Sequence, residues 1–135
     1  MLIGSAHVAG YSLEGKVNGT KMIYDAFCRF TNQLNDWEPK LPTVENNIID
    51  DATFKNLEEK LHMIFRQVYN IKTDDSEIRK MIEMDNDSRA AYFDKLRKEY
   101  PLRREFTNYT IIIEETNKQL KDILEAFRFN IKIID

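Results

Sequence analysis

A chain of 135 residues with 42% hydrophobic and 32% charged residues suits one globular domain built on a single core. Its formal net charge of −3 gives no global field to recruit nucleic acid or an anionic membrane, and it is too small for a nucleic-acid mimic. The one cysteine, Cys28, rules out an internal disulfide framework and fits a reducing, cytoplasmic compartment.

All four glycines, Gly4, Gly10, Gly15 and Gly19, lie in residues 1–19, which read as an extended arm or weak hairpin. This stretch lacks a basic start and a continuous apolar core, so no signal peptide is expected. Asn18-Gly19 is a turn signal that could close a hairpin onto Thr20–Tyr24; a helix capped by Thr20 is preferred there. That helix is expected from Thr20 to Trp37, because Ile23, Phe27, Phe30, Leu34 and Trp37 recur at helical spacing. Cys28 falls among its aromatics and reads as a small apolar residue at the edge of a core. Pro39 and Pro42 stop the helix, and residues 38–50 form a loop whose Leu41, Val44, Ile48 and Ile49 lie against the fold.

A second helix is expected from Asp50 or Asp51 to Asn70, with Phe54, Leu57, Leu61, Ile64, Val68 and Ile71 as its apolar stripe. Two short helices follow, at about Asp74–Met84 and Ser88–Glu99, joined by a turn at Asp85-Asn86-Asp87. The longest periodic stretch is Leu102–Phe127. Leu102, Phe106, Tyr109, Ile113, Thr116, Leu120, Ile123 and Phe127 alternate steps of four and three, the seam of a long helical spine. The β-branched run Thr110–Ile113 conflicts with helix, but the repeat passes through it without a slip. After Phe127 the period changes to alternation at Phe129, Ile131 and Ile133, which predicts a strand at 129–135 pairing with the arm, a continued helix being the competing reading. The expected fold is therefore mainly α: a single-domain bundle of four to five helices over residues 20–128, with an extended arm at 1–19. No apolar run approaches the roughly 20 residues that span a bilayer.

Three constellations could carry chemistry or recognition. Glu59 and His62 form a Glu-x-x-His, the spacing helical bundles use for di-iron sites, but such sites need a second copy and two further glutamates. No metal and no cofactor is expected. Lys95, Arg97, Lys98, Arg103 and Arg104, with Tyr92 and Tyr100 interleaved, form a basic cluster that could hold phosphates and stack bases. Asp85, Asp87, Asp94, Glu99 and Glu105 interrupt that field, so a solvated, salt-bridged face is the plainer reading. Tyr11, Tyr24, Trp37 and Tyr69 add an aromatic surplus of the kind favoured at protein interfaces.

No phosphate loop, GxGxxG, HExxH or zinc spacing occurs, and His7 and His62 are the only histidines. The residues alone point to a non-catalytic, protein-binding protein: a small subunit of an assembly or an inhibitor, with a phage or mobile element as a source its composition suits. Tyr92, Arg97, Tyr100, Arg103 and Arg104 are its expected partner contacts, and Tyr11 and Leu13 a second choice. A homodimer is compatible with this reading. The alternatives are a nucleic-acid-binding regulator using residues 88–104, and a metal-dependent bundle enzyme around Glu59 and His62.

Overall fold

The computed structural model describes residues 3–50 and 56–134. Within these residues, five α-helices and three short strands follow one another as α1 (Leu13–Thr31), β1 (Ile48–Asp50), α2 (Leu57–Val68), α3 (Ile71–Arg79), α4 (Asn86–Lys98), β2 (Thr110–Glu114), α5 (Lys118–Ala126) and β3 (Asn130–Ile134). The helical content matches the expectation, but the organising element is a sheet. The strands run parallel in the order β1-β2-β3, with Ile49 opposite Ile111 and Ile111 opposite Ile131. Parallel neighbours need crossovers. Helix α5 makes the one between β2 and β3, and α2, α3 and α4 lie between β1 and β2.

The long spine expected over Leu102–Phe127 does not exist. Thr110–Ile113 forms the central strand, so β-branched preference wins over a repeat that straddles two kinds of structure. Pairing on both sides satisfies this strand's backbone. Helix α5 retains only the last part of the repeat. Ile111 and Leu124 lie off the expected seam, yet both are fully buried. They join Ile49, Ile64, Ile113, Leu120 and Phe129 in the main core, against which Leu57, Leu61, Phe65 and Val68 of α2 also pack. Phe106 and Phe129 stack in this core at 4.8 Å, and Phe65 meets both edge-on.

The C-terminal strand forms as expected, but it pairs with β2 and not with the arm. Among the described residues the arm makes one bridge, Ser12 to Arg103. The loop 38–50 contains β1, in which Ile49 is buried and Ile48 exposed. The expected start of the second helix is displaced: Asp50 ends β1, Asp51–Phe54 lie outside the described residues, and α2 is capped by Asn56, whose side chain accepts from Glu59 N at 2.9 Å. Helix α3 starts at Ile71 and passes into a single 3-10 turn at Lys80–Glu83. Asp85, placed in a turn by its sequence, caps α4 by accepting from Ser88 N at 2.9 Å.

Helix α1 begins seven residues before Thr20. Ser12 is the cap; its Oγ accepts from Gly15 N at 3.0 Å and donates to Glu105. Once started there, the helix runs through Asn18-Gly19, overriding the turn signal. It ends at Asn32, left-handed at φ 52, whose N–H donates to Cys28 O, well ahead of Pro39. Gly15 is required by close approach: a Cβ there would stand 2.7 Å from Gly10 O and 2.8 Å from Ser12 Oγ. Ile23, Phe27 and Phe30 do share a stripe of α1, but it faces outward and is not part of the core.

Candidate functional site

The N-terminal arm is pinned on both sides of its histidine. Ala6 and Val8 are buried, and Gly4 N donates to Asp75 Oδ1 at 2.8 Å. Arg79 donates to the other oxygen of Asp75 at 2.6 Å, and these bonds, Arg79 foremost, hold the Asp75 carboxyl below its usual range. Between the two buried anchors His7 turns outward with φ 55. Its ring meets Phe93 of α4 edge-on at 5.8 Å. Among the described residues the other left-handed non-glycine positions are Asn32, Asn46 and Arg128. Asn32 and Arg128 close helices, and asparagine tolerates this region. His7 closes no helix; its left-handed backbone is held by the buried residues on either side. A residue held in a sparse backbone region by buried neighbours is the kind of strain that collects at functional sites.

The arm continues through a turn in which Tyr11 N donates to Val8 O at 3.1 Å and Gly10 takes φ 72. It then locks to the segment before β2. Leu13 N donates to Arg103 O at 2.8 Å, and Arg103 returns a bond to Val8 O at 3.3 Å while lying 4.7 Å over the Tyr69 ring. Arg104 is buried. It donates from Nε to Glu14 at 2.7 Å, from Nη1 to Pro42 O at 2.8 Å and from Nη2 to Asn108 Oδ1 at 3.2 Å. Burial raises the Glu14 carboxyl, but bonds from Arg104, backbone N–H groups and Asn108 outweigh it and leave it below the ordinary range.

Beside the arm, α3 and α4 enclose a cleft of about 430 Å³, reached by Ala6, Asp74, Glu77, Tyr92, Leu96 and Tyr100. Two of its acids are already satisfied. Asp74 Oδ2 accepts from Tyr69 at 2.7 Å and Tyr100 at 2.9 Å, and Glu77 accepts from Tyr92 at 2.7 Å and Lys80 at 2.6 Å. Burial, then the neighbouring Asp74, pushes the Tyr69 and Tyr100 hydroxyls up, so both remain donors.

The residues expected to meet a partner are thus all engaged within the chain. Tyr92 and Tyr100 line the cleft, Arg97 donates to Tyr11 Oη at 3.2 Å, and Arg103 and Arg104 fasten the arm. Tyr11 sits against Tyr100, edge-on at 5.8 Å. Glu59 and His62 share an exposed groove on α2. Among the described residues no group of three or more His, Cys, Asp or Glu comes together as a metal site, and no helix is long and apolar enough to cross a membrane. The residue that sequence reasoning passed over is His7. Its location in the glycine-bearing arm was visible, but its left-handed backbone and flanking anchors were not.

A family described as a domain of unknown function, DUF3410, matches residues 40–126. The chain is also 40% identical over 114 residues to an erythronate-4-phosphate dehydrogenase of Cellvibrio japonicus (strain Ueda107), covering 81% of this chain and 30% of the relative. It is 32% identical over 133 residues to the same-named protein of Marinobacter nauticus (strain ATCC 700491 / DSM 11845 / VT8), covering 97% and 35%. The protein of that name from Acinetobacter baumannii (strain AYE) is 42% identical over 108 residues, covering 78% and 29%. The chain therefore spans about a third of the length of the curated relatives it matches.

These matches overturn the expectation of a non-catalytic binder, whether inhibitor, viral protein or nucleic-acid regulator: the relatives are named as dehydrogenases. The lack of a complete catalytic motif in the sequence decides little, because a chain that spans about a third of its relatives' length can lack motifs that lie in the rest of them. With residues 40–126, more than half its length, matched, the chain belongs to the DUF3410 family.

Proposed function

We propose that this chain is one part of an enzyme that oxidises erythronate 4-phosphate, and that His7 is the base of that reaction. The observation that carries the first half is the 40% identity to a dehydrogenase of that name over 81% of the chain. Oxidising an alcohol removes two electrons with the carbinol hydrogen, which pass to an acceptor, and one proton from the hydroxyl, which passes to a base. The 135 residues contain no GxGxxG for a dinucleotide acceptor. The acceptor site is assigned to the two thirds of such an enzyme that this chain does not span.

The second half rests on the arm. An imidazole can take and return a proton near neutral pH. His7 is fixed by buried Ala6 and Val8, is exposed, and is aimed by the Phe93 ring. His62 lies on an exposed helix face beside Glu59, and among the described residues nothing fixes its ring.

The test replaces the matched 133-residue region of the Marinobacter nauticus enzyme with this chain and follows erythronate 4-phosphate oxidation. Turnover is the expected result. A folded chimera with no turnover, beside an active parent enzyme, overturns the assignment.

A further inference from the structure

The largest feature left unused by the arm and the core is the outer face of α1. Met22, Ile23, Phe27 and Phe30 of α1, and Leu34 just past its end, are 71, 74, 58, 90 and 79% exposed. Together they leave on the order of 700 Å² of apolar surface in water, beyond what a monomer ordinarily presents as one patch. Ile23, Phe27 and Phe30 are spaced four and three residues apart, so they form one continuous stripe of α1, and Leu34 follows just past the helix end.

The helix is attached to the rest of the chain at its first turn, through Ser12, Leu13 and Glu14. Among the described residues, its far half is braced by the segment after it: Lys21 pairs with Glu38 at 3.3 Å, Tyr24 meets Trp37 edge-on at 5.8 Å, and Asn35 donates to Asp25 at 3.0 Å. These contacts lie along the opposite side and stiffen the helix without covering the stripe.

We infer that this stripe is the surface on which the remaining two thirds of the dehydrogenase dock. The inference rests on the functional reading above. Helix α1 lies outside the DUF3410 match, which begins at residue 40, yet inside the match to the Marinobacter nauticus dehydrogenase, which covers 97% of this chain. The segment thus goes with the dehydrogenases and not with the domain alone. The relatives also carry about two thirds of their length beyond what this chain covers. A helix fixed at one end to the arm that holds His7, with one face of its other half uncovered, is suited to join the two parts. The exposed area is close to the roughly 800 Å² that one side of a stable interface buries.

The experiment places single cysteines at Ile23 and Phe30, in separate variants with Cys28→Ser, and measures maleimide labelling in the isolated chain and in the chimera. A Leu102→Cys control lies off α1, where Leu102 is also exposed. Docking predicts labelling at least about tenfold slower in the chimera at both stripe positions, as it then requires local opening. Equal rates in the two proteins overturn the proposal. Slow labelling in the isolated chain, with a dimer mass by light scattering, also overturns it and makes a second copy the occupant. A second measurement needs no chimera: Phe27→Glu with Phe30→Glu leaves the melting temperature of the isolated chain unchanged, because these side chains serve none of its own core. A large fall in melting temperature counts against the proposal. Slow labelling in a chimera without turnover leaves docking intact and removes only the functional reading.

Discussion

Ile111 and Ile112 are adjacent, and their replacement by alanine separates a strand from a helix at this position. Ile111 is fully buried in the central strand, flanked in register by Ile49 and Ile131. Shortening it to alanine removes three carbons, about 2.4 kcal/mol of transfer free energy at roughly 0.8 kcal/mol per carbon. The cavity left between β2 and the helices α2 and α5 brings the total to about 3–4 kcal/mol. Ile112 points to the other face and is half-buried, so the same change costs about 1 kcal/mol. Ile113, buried again, returns to about 3 kcal/mol. Urea unfolding followed by far-ultraviolet circular dichroism, with linear extrapolation, measures all three. A helical seam through this segment would instead spare both Ile111 and Ile112 and penalise Ile113. Near-equal costs at 111 and 112 refute the sheet-centred account of stability.

Three further outcomes follow from the arm. Gly15→Ala forces a Cβ to 2.7 Å from Gly10 O, a backbone atom, and lowers stability by about 1–3 kcal/mol in the same unfolding assay despite alanine's higher helix propensity. Arg104→Ala removes the guanidinium from the largely buried Glu14 carboxylate, which keeps its bonds from Glu105 N and Asn108, and costs about 3 kcal/mol, with Arg104→Lys failing to restore it because three directed bonds are lost. Because the Glu14 carboxyl is held below its ordinary range in the folded chain, its contribution is complete above the unfolded glutamate value of about 4.3 and is lost as pH falls through the folded value. Urea midpoints measured down the acid range therefore drop less steeply for Glu14→Gln than for the parent.

The sequence shows helix-forming stretches well and their ends poorly. Ser12, Asn32, Asn56 and Asp85 set the true boundaries of α1, α2 and α4, each through one side-chain or left-handed cap that competes with several equally plausible residues nearby. The C-terminal strand is legible because Phe129, Ile131 and Ile133 alternate. The central strand is not, because the four-and-three repeat from Phe106 to Phe127 imitates one helix while spanning a strand, a turn and a short helix. Only pairing with Ile49 and Ile131, remote in sequence or later in the chain, decides for β structure. The stripe on α1 is visible as spacing, but spacing cannot tell a buried face from one that awaits a partner. Arg103 and Arg104 read as surface charge, yet Arg104 is buried because Glu14, 90 residues away in sequence, meets it.

The most direct measurement is the steady-state rate of erythronate 4-phosphate oxidation by the chimera carrying His7→Asn, set beside the same chimera with His7 intact. The account predicts that kcat falls by roughly 10²–10⁴-fold while KM stays within a few-fold, as loss of a proton acceptor should give. An unchanged kcat, with the chimera folded and active, contradicts the role assigned to the arm.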